Sequence, residues 1–92
     1  MLPTLEYHNQ GRGGAVVYKD EEGDIRLSFE FGAGDCVAII FVPAPEHWTR
    51  STNRSLSERD TILTFVAERA ARDQTSGGSY TLSDSWIEIF SR

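Results

Sequence analysis

The chain is poor in cysteine, lysine, histidine and long apolar runs, and each shortage narrows the reading. A single cysteine, Cys36, in 92 residues excludes an internal disulfide and a cysteine-based zinc site. One lysine, Lys19, stands against eight arginines. Arginine offers planar, bidentate pairing, but a biased coding composition explains the count equally well, so no function is drawn from it. The longest apolar run, residues 36–43, is far too short to span a bilayer, so no membrane partner is expected. The opening stretch MLPTLEYHNQ has neither a basic nor an apolar signal-peptide region. The expectation is a cytoplasmic protein, in which the sequon Asn53-Arg54-Ser55 has no meaning.

Basic charge is scarce overall. Nine basic residues face fourteen acidic ones, for a net charge of −5. The excess sits early: residues 1–36 hold seven acids against Arg12, Lys19 and Arg26. Such a field repels phosphate backbones and disfavours nucleic acid as a partner. A nucleic-acid reading would need Arg50, Arg54, Arg59 and Arg69 on one patch.

Ninety-two residues, 39% of them hydrophobic, make one domain over 1–92 with a modest core. In residues 25–31, Ile25, Leu27, Phe29 and Phe31 alternate with Arg26, Ser28 and Glu30, the period of a strand with one wet face. Polar or glycine-rich turns flank it at 20–24 and 32–35. Residues 36–42 are apolar on both faces and belong at the centre of a sheet. Pro43 and Pro45 end that strand, since proline cannot donate to a ladder. A helix over about 58–73 is marked by Ser57 and Asp60 at its start. Its stripe is Ile62, Leu63, Phe65, Val66, Ala67 and Ala70. Residues 79–92 read as a hairpin, with Ile87 and Ile89 on one face and Trp86, Glu88 and Phe90 on the other.

These elements give a small α+β domain: a mainly antiparallel sheet of about five strands in the order β-β-β-α-β-β, one helix on one face, and a loosely ordered lead-in over 1–13. A short extra strand is also conceivable near residues 5–7. The second face of such a sheet would carry Trp86, Phe90 and one of two alternating sets, Val37, Ile39 and Phe41 or Cys36, Ala38 and Ile40. Either the sheet curls on itself, the default for small twisted sheets, or that face meets a partner.

Candidate chemistry is thin. The glycines of HNQGRGGAV precede a strand instead of following one, the wrong order for a phosphate cradle. Cys36 opens an apolar strand beside Asp35 and reads as buried and inert. His8 and His47, with Glu6 or Glu46, could hold a metal only if the fold joined them. Glu46 and His47 are conceivable acid–base partners, but adjacent residues rarely aim at one atom and no nucleophile motif completes them. No cofactor and no catalytic residue are expected.

The connection PAPEHWTRSTNRS is long for a compact domain and brings together Trp48, Arg50 and Arg54, the types enriched in binding hot spots. With His47 they form the candidate partner-binding set; in the plainer reading Trp48 folds back to cap the core. The expected function is a non-catalytic protein-interaction module, of the size and charge of small adaptor, inhibitor or immunity-like proteins, an analogy without a shared motif. It would be a monomer or a weak homodimer through the open sheet face. The alternative is a small-ligand binder or enzyme with a pocket near His47, Trp48 and Arg50.

Overall fold

Apolar residues at every second position build most of the molecule. The computed structural model describes residues 3–92, in which six strands form one antiparallel sheet. They are β1 (Thr4–Gln10), β2 (Gly13–Asp20), β3 (Gly23–Phe31), β4 (Cys36–Phe41), β5 (Ser79–Leu82) and β6 (Trp86–Phe90). Between β4 and β5 the chain forms α1 (Pro45–Thr52), a 3-10 turn at Leu56–Glu58, and α2 (Arg59–Gln74). The α+β class and antiparallel sheet match the expectation, with six strands instead of five and a second, shorter helix. The order across the sheet is β1-β2-β3-β4-β6-β5, so β6 inserts between β4 and β5.

The sixth strand is the segment expected to be a loose lead-in. β1 pairs with β2 from Thr4↔Lys19 to Gln10↔Gly13. Gly11 opens the two-residue loop at φ 63°, a positive value that hairpin turns matched to strand twist require. At Gly14 a Cβ would lie 1.9 Å from the His8 carbonyl oxygen, so only glycine permits that approach of the strands. The glycines of HNQGRGGAV are therefore hairpin residues.

α2 covers one face of the sheet. Leu63, Val66 and Ala67 are fully buried, and Ile62 and Ala70 nearly so. They close a core with Val16, Tyr18, Ile25, Leu27, Phe29, Ala38, Ile40, Ile87 and Ile89. Phe65 lies at the margin, edge-on to Tyr18 at 5.7 Å between ring centroids. Burial pushes the Tyr18 hydroxyl up to about 12, with its hydrogen bond to Asp20 adding to the effect. Phe31, expected on the buried face, is 45% exposed because it ends β3; it rests edge-on against Phe29 at 5.3 Å. The helix start is also displaced from the expected Ser57 and Asp60. Ser55 and Glu58 form the capping box, on the 3-10 turn.

Sheet curvature follows from the contacts of α2, which packs on β5, β6 and β1. β1 and β5 are opposite edges of the sheet, about 24 Å apart if it were flat. The sheet therefore curls around the helix. Tyr7 of β1 confirms the closure by donating its hydroxyl to Asp73 of α2 at 2.8 Å. Burial, with the Asp73 carboxylate adding to it, holds that phenol well above its ordinary range.

β4 is an interior strand, as expected, but Cys36 at its start is half-buried, not buried. A register shift between Cys36 and Ala38 inserts a residue there and sets Cys36 opposite Phe90.

Val66, at the centre of the covered face, tests the assembly. Val66→Asp buries an unpaired charge and is expected to unfold the domain or cost about 4 kcal/mol or more. Chemical denaturation measures it, and a loss below about 0.5 kcal/mol would place the α2 stripe in water.

Candidate functional site

The connection after β4 is a packed strap. Pro45 starts α1 at a position where a missing amide donor is harmless. One turn on, Trp48 is fully buried, and its indole Nε1 donates to the Ser55 carbonyl at 2.9 Å. Trp48 is therefore a core residue and not an exposed anchor. An indole with its N–H satisfied inside the core meets both of its physical demands at once.

Arg54 is also withdrawn, at 7% exposure. Its Nη2 reaches Asp20 Oδ1 at 2.7 Å and the Gly23 carbonyl at 3.0 Å, and Nη1 reaches Asp20 Oδ2 at 3.0 Å. Glu22 and Glu58 lie at 3.3 and 3.5 Å. The guanidinium stands 5.9 Å over the Tyr18 ring. A buried guanidinium persists only with such pairing. Arg54 thus clamps the strap to the β2–β3 turn, and its hydrogen bonds hold the Asp20 carboxyl well below the usual carboxylate range. Arg59, equally buried, donates from Nε and Nη2 to the Pro43 carbonyl at 3.1 and 3.0 Å, and from Nη2 to the Asp84 carbonyl at 2.9 Å.

Of the expected partner-binding set, only His47 and Arg50 remain exposed. Arg50 Nη2 donates to His47 Nδ1 at 2.7 Å. A pocket near His47 and Arg50 would lack Trp48 as its apolar wall. His8 contacts Glu6 at 2.8 Å on β1, and among the described residues no group of three His, Cys, Asp or Glu side chains is arranged to hold a metal ion. Arg54 and Arg59 are buried and Arg69 stacks 5.0 Å over Phe65, so the four arginines form no common exposed patch. A crevice between the sheet and the end of α2, lined by Tyr7, Phe29, Phe31, Val37, Ala70 and Gln74, encloses about 20 Å3, room for little more than one water.

The uncovered face of the sheet holds the stronger site, and its two halves differ. Paired residues point to the same side, so strand register assigns the side chains. On β1–β3 the outer positions are Glu6, His8, Ala15, Val17, Lys19, Asp24, Arg26, Ser28 and Glu30. Here Ala15 and Val17 are buried beneath long polar neighbours. Glu6 binds Lys19 at 3.3 Å, and Lys19 reaches Asp24 at 3.7 Å. Glu6 is held below its ordinary pKa by the Lys19 and His8 contacts.

On β4 and β6 the same face is apolar apart from Glu88. Ile39 pairs with Glu88, Phe41 with Trp86, and Cys36 with Phe90. Glu88 is in no ion pair among the described residues, so no charged network of them roofs this half. Phe41 is 39% and Trp86 44% exposed, and Ile39 and Phe90 are half-buried. The Trp86 backbone is fixed by Ser83, whose amide donates to the Trp86 carbonyl at 2.9 Å and whose hydroxyl accepts from the Trp86 amide at 3.3 Å. The tryptophan is thus an outward aromatic on a rigid strand. The alternation of residues 86–90 placed Trp86 and Phe90 on this face already; Phe41 and Ile39 needed the register with β6.

No protein-family model matches the chain, and comparison with curated proteins and with solved structures finds no match either.

Two stability outcomes follow from the strap. Trp48→Ala removes a fully buried indole and should cost about 3–5 kcal/mol in denaturant unfolding. The Asp20 carboxyl titrates lower folded than its ordinary 3.8. Its stabilisation is therefore complete above about pH 5 and is lost as the pH falls through 4 and below. Arg54→Met should lower stability at neutral pH by about 3 kcal/mol and flatten that acid limb; a midpoint-versus-pH series on both proteins measures the difference.

Proposed function

We propose that the chain is a non-catalytic protein-interaction module that docks a protein partner on the β4–β6 half of its open sheet face. One observation carries this reading: Phe41 and Trp86 stand side by side and exposed on interior strands, while the neighbouring half of the same face roofs its apolar residues with paired charges. Rigid, partly desolvated aromatics are the side chains that dominate binding hot spots, and Trp86 is held by its backbone with no contact to the core face. The acidic net charge, −5, suits a protein partner and opposes a nucleic acid. His47 and Arg50, exposed on α1, are the remnant of the strap reading and form the competing surface.

Capture from extracts of the native host decides between the two surfaces. The wild-type chain should retain a protein that Trp86→Asp loses and that a His47→Ala/Arg50→Ala variant keeps. Because Trp86 is 44% exposed and outside the core, Trp86→Asp should still unfold in one cooperative transition, which a melting curve run beside the capture checks. Retention unchanged by Trp86→Asp and lost with the α1 variant would move the site to the strap. No specific retention by any of the three would exclude a foreign protein as the occupant of either surface.

A further inference from the structure

We infer that the occupant of the β4–β6 face is a second copy of the chain, in a weak two-fold dimer whose aromatic centre is edged along β3 by reciprocal Arg26–Glu30 pairs. The inference rests on the reading of this face as a docking surface and names what fills it.

The charges on this face are not equally engaged. Glu6, His8, Lys19 and Asp24 are tied to one another, and Glu88 accepts from the Thr81 hydroxyl at 3.3 Å. Arg26 and Glu30, both on β3 along one edge of the aromatic patch, are exposed and have no polar partner among the described residues. Opposite charges left open at equal distances along one edge of an apolar patch can meet each other's counterparts across a two-fold axis.

Register supplies the symmetry. Phe29↔Ile40 and Glu30↔Ile39 pair β3 with β4, which sets Ser28 level with Phe41, and Phe41 pairs with Trp86. Ser28, Phe41 and Trp86 therefore form one row across three strands. A two-fold axis along this row, between two facing sheets, maps a residue two places before the row onto the residue two places after it on the same strand of the other copy. Arg26 and Glu30 lie two places before and after Ser28, so each Arg26 meets the other copy's Glu30. Phe41 and Trp86 lie on the axis and meet their own counterparts. This is the isologous arrangement that closes a pair and goes no further, with the sheets packed face to face about 10 Å apart.

Strength is bounded by curvature. The sheet curls toward α2, so its outer side is convex and contact is confined to β3, β4 and β6. Three strands over five residues give a footprint of roughly 14 by 17 Å, on the order of 250 Å2. That is well below the about 800 Å2 per partner of stable complexes. Two copies at −5 each also repel at long range. The local Arg26–Glu30 pairs offset that repulsion, and the dimer is concentration-dependent.

Sedimentation equilibrium over a series reaching about 1 mM tests this, with acrylamide quenching of tryptophan as the local readout. Trp48 is fully buried, so quenching reports Trp86. The wild type should dimerise and its quenching should fall with concentration. Arg26→Glu and Glu30→Arg, both at exposed positions, should each weaken association on the order of tenfold or more. Combined in one chain, the two reversals should restore it. A wild type monomeric throughout, an association indifferent to either single reversal, or a combined variant that fails to recover would overturn the dimer. Were Trp86-dependent capture of another protein to persist in any of those cases, the docking reading would stand with a different occupant; without it, both would fall.

Discussion

One helical layer must serve a six-stranded sheet, and most of the architecture answers that constraint. α2 can bury the inner side chains of the sheet only if the strands come to it, so the sheet curls until both edges touch the helix. Curling closes the centre of the inner face: Leu63, Val66, Ile87 and Ile89 are sealed. The same movement makes the outer face convex and leaves it without a layer. Every strand residue is therefore sorted by its parity into a deeply buried position or one that must find other cover.

Two forms of cover appear on the outer face. β1, β2 and β3 supply small or branched residues at Ala15 and Val17 and roof them with the stems of charged neighbours, a solution that lets hydrocarbon lie over hydrocarbon while the charged heads stay in water. β4 and β6 supply Phe41, Trp86 and Phe90, which are too large to be roofed in that way. The division runs along β3, whose Arg26 and Glu30 are the last charges before the aromatics. The proposed docking surface begins at this boundary because the physical requirement changes there.

The strap between β4 and α2 solves a different problem. It must turn the chain from an interior strand to a helix on the inner face, and it is fastened at three places. Trp48 plugs into the core, Arg54 grips the β2–β3 turn, and Arg59 ties the start of α2 to Pro43 and to the β5–β6 turn. Arginine suits both grips because its fork satisfies several acceptors from one buried position. These are the residue types of a binding hot spot used to hold the protein's own chain.

Much of the fold was legible in the residues. Alternation at 25–31 and 86–90 declared the strands and their faces, and the stripe from Ile62 to Ala70 declared the helix, because burial against one layer imposes those periods directly. The hairpin of β1 was legible in principle, through Gly11 and Arg12 as its two-residue turn, but its alternating Leu5 and Tyr7 were too sparse to stand out from a polar lead-in. The fate of the strap was not legible. Tryptophan and arginine satisfy the same physical demands, apolar contact and multiple hydrogen bonds, inside a protein or against a partner, and only the position of Asp20, thirty-four residues away in sequence, chooses between them. The sequence by itself determined β2 to β6 and α2, their order, and the apolar side of β3 and β6, since these depend on local period. Tertiary structure alone decided which arginines are buried, which way the sheet curls and which aromatics are left exposed, since these depend on which distant strands become neighbours.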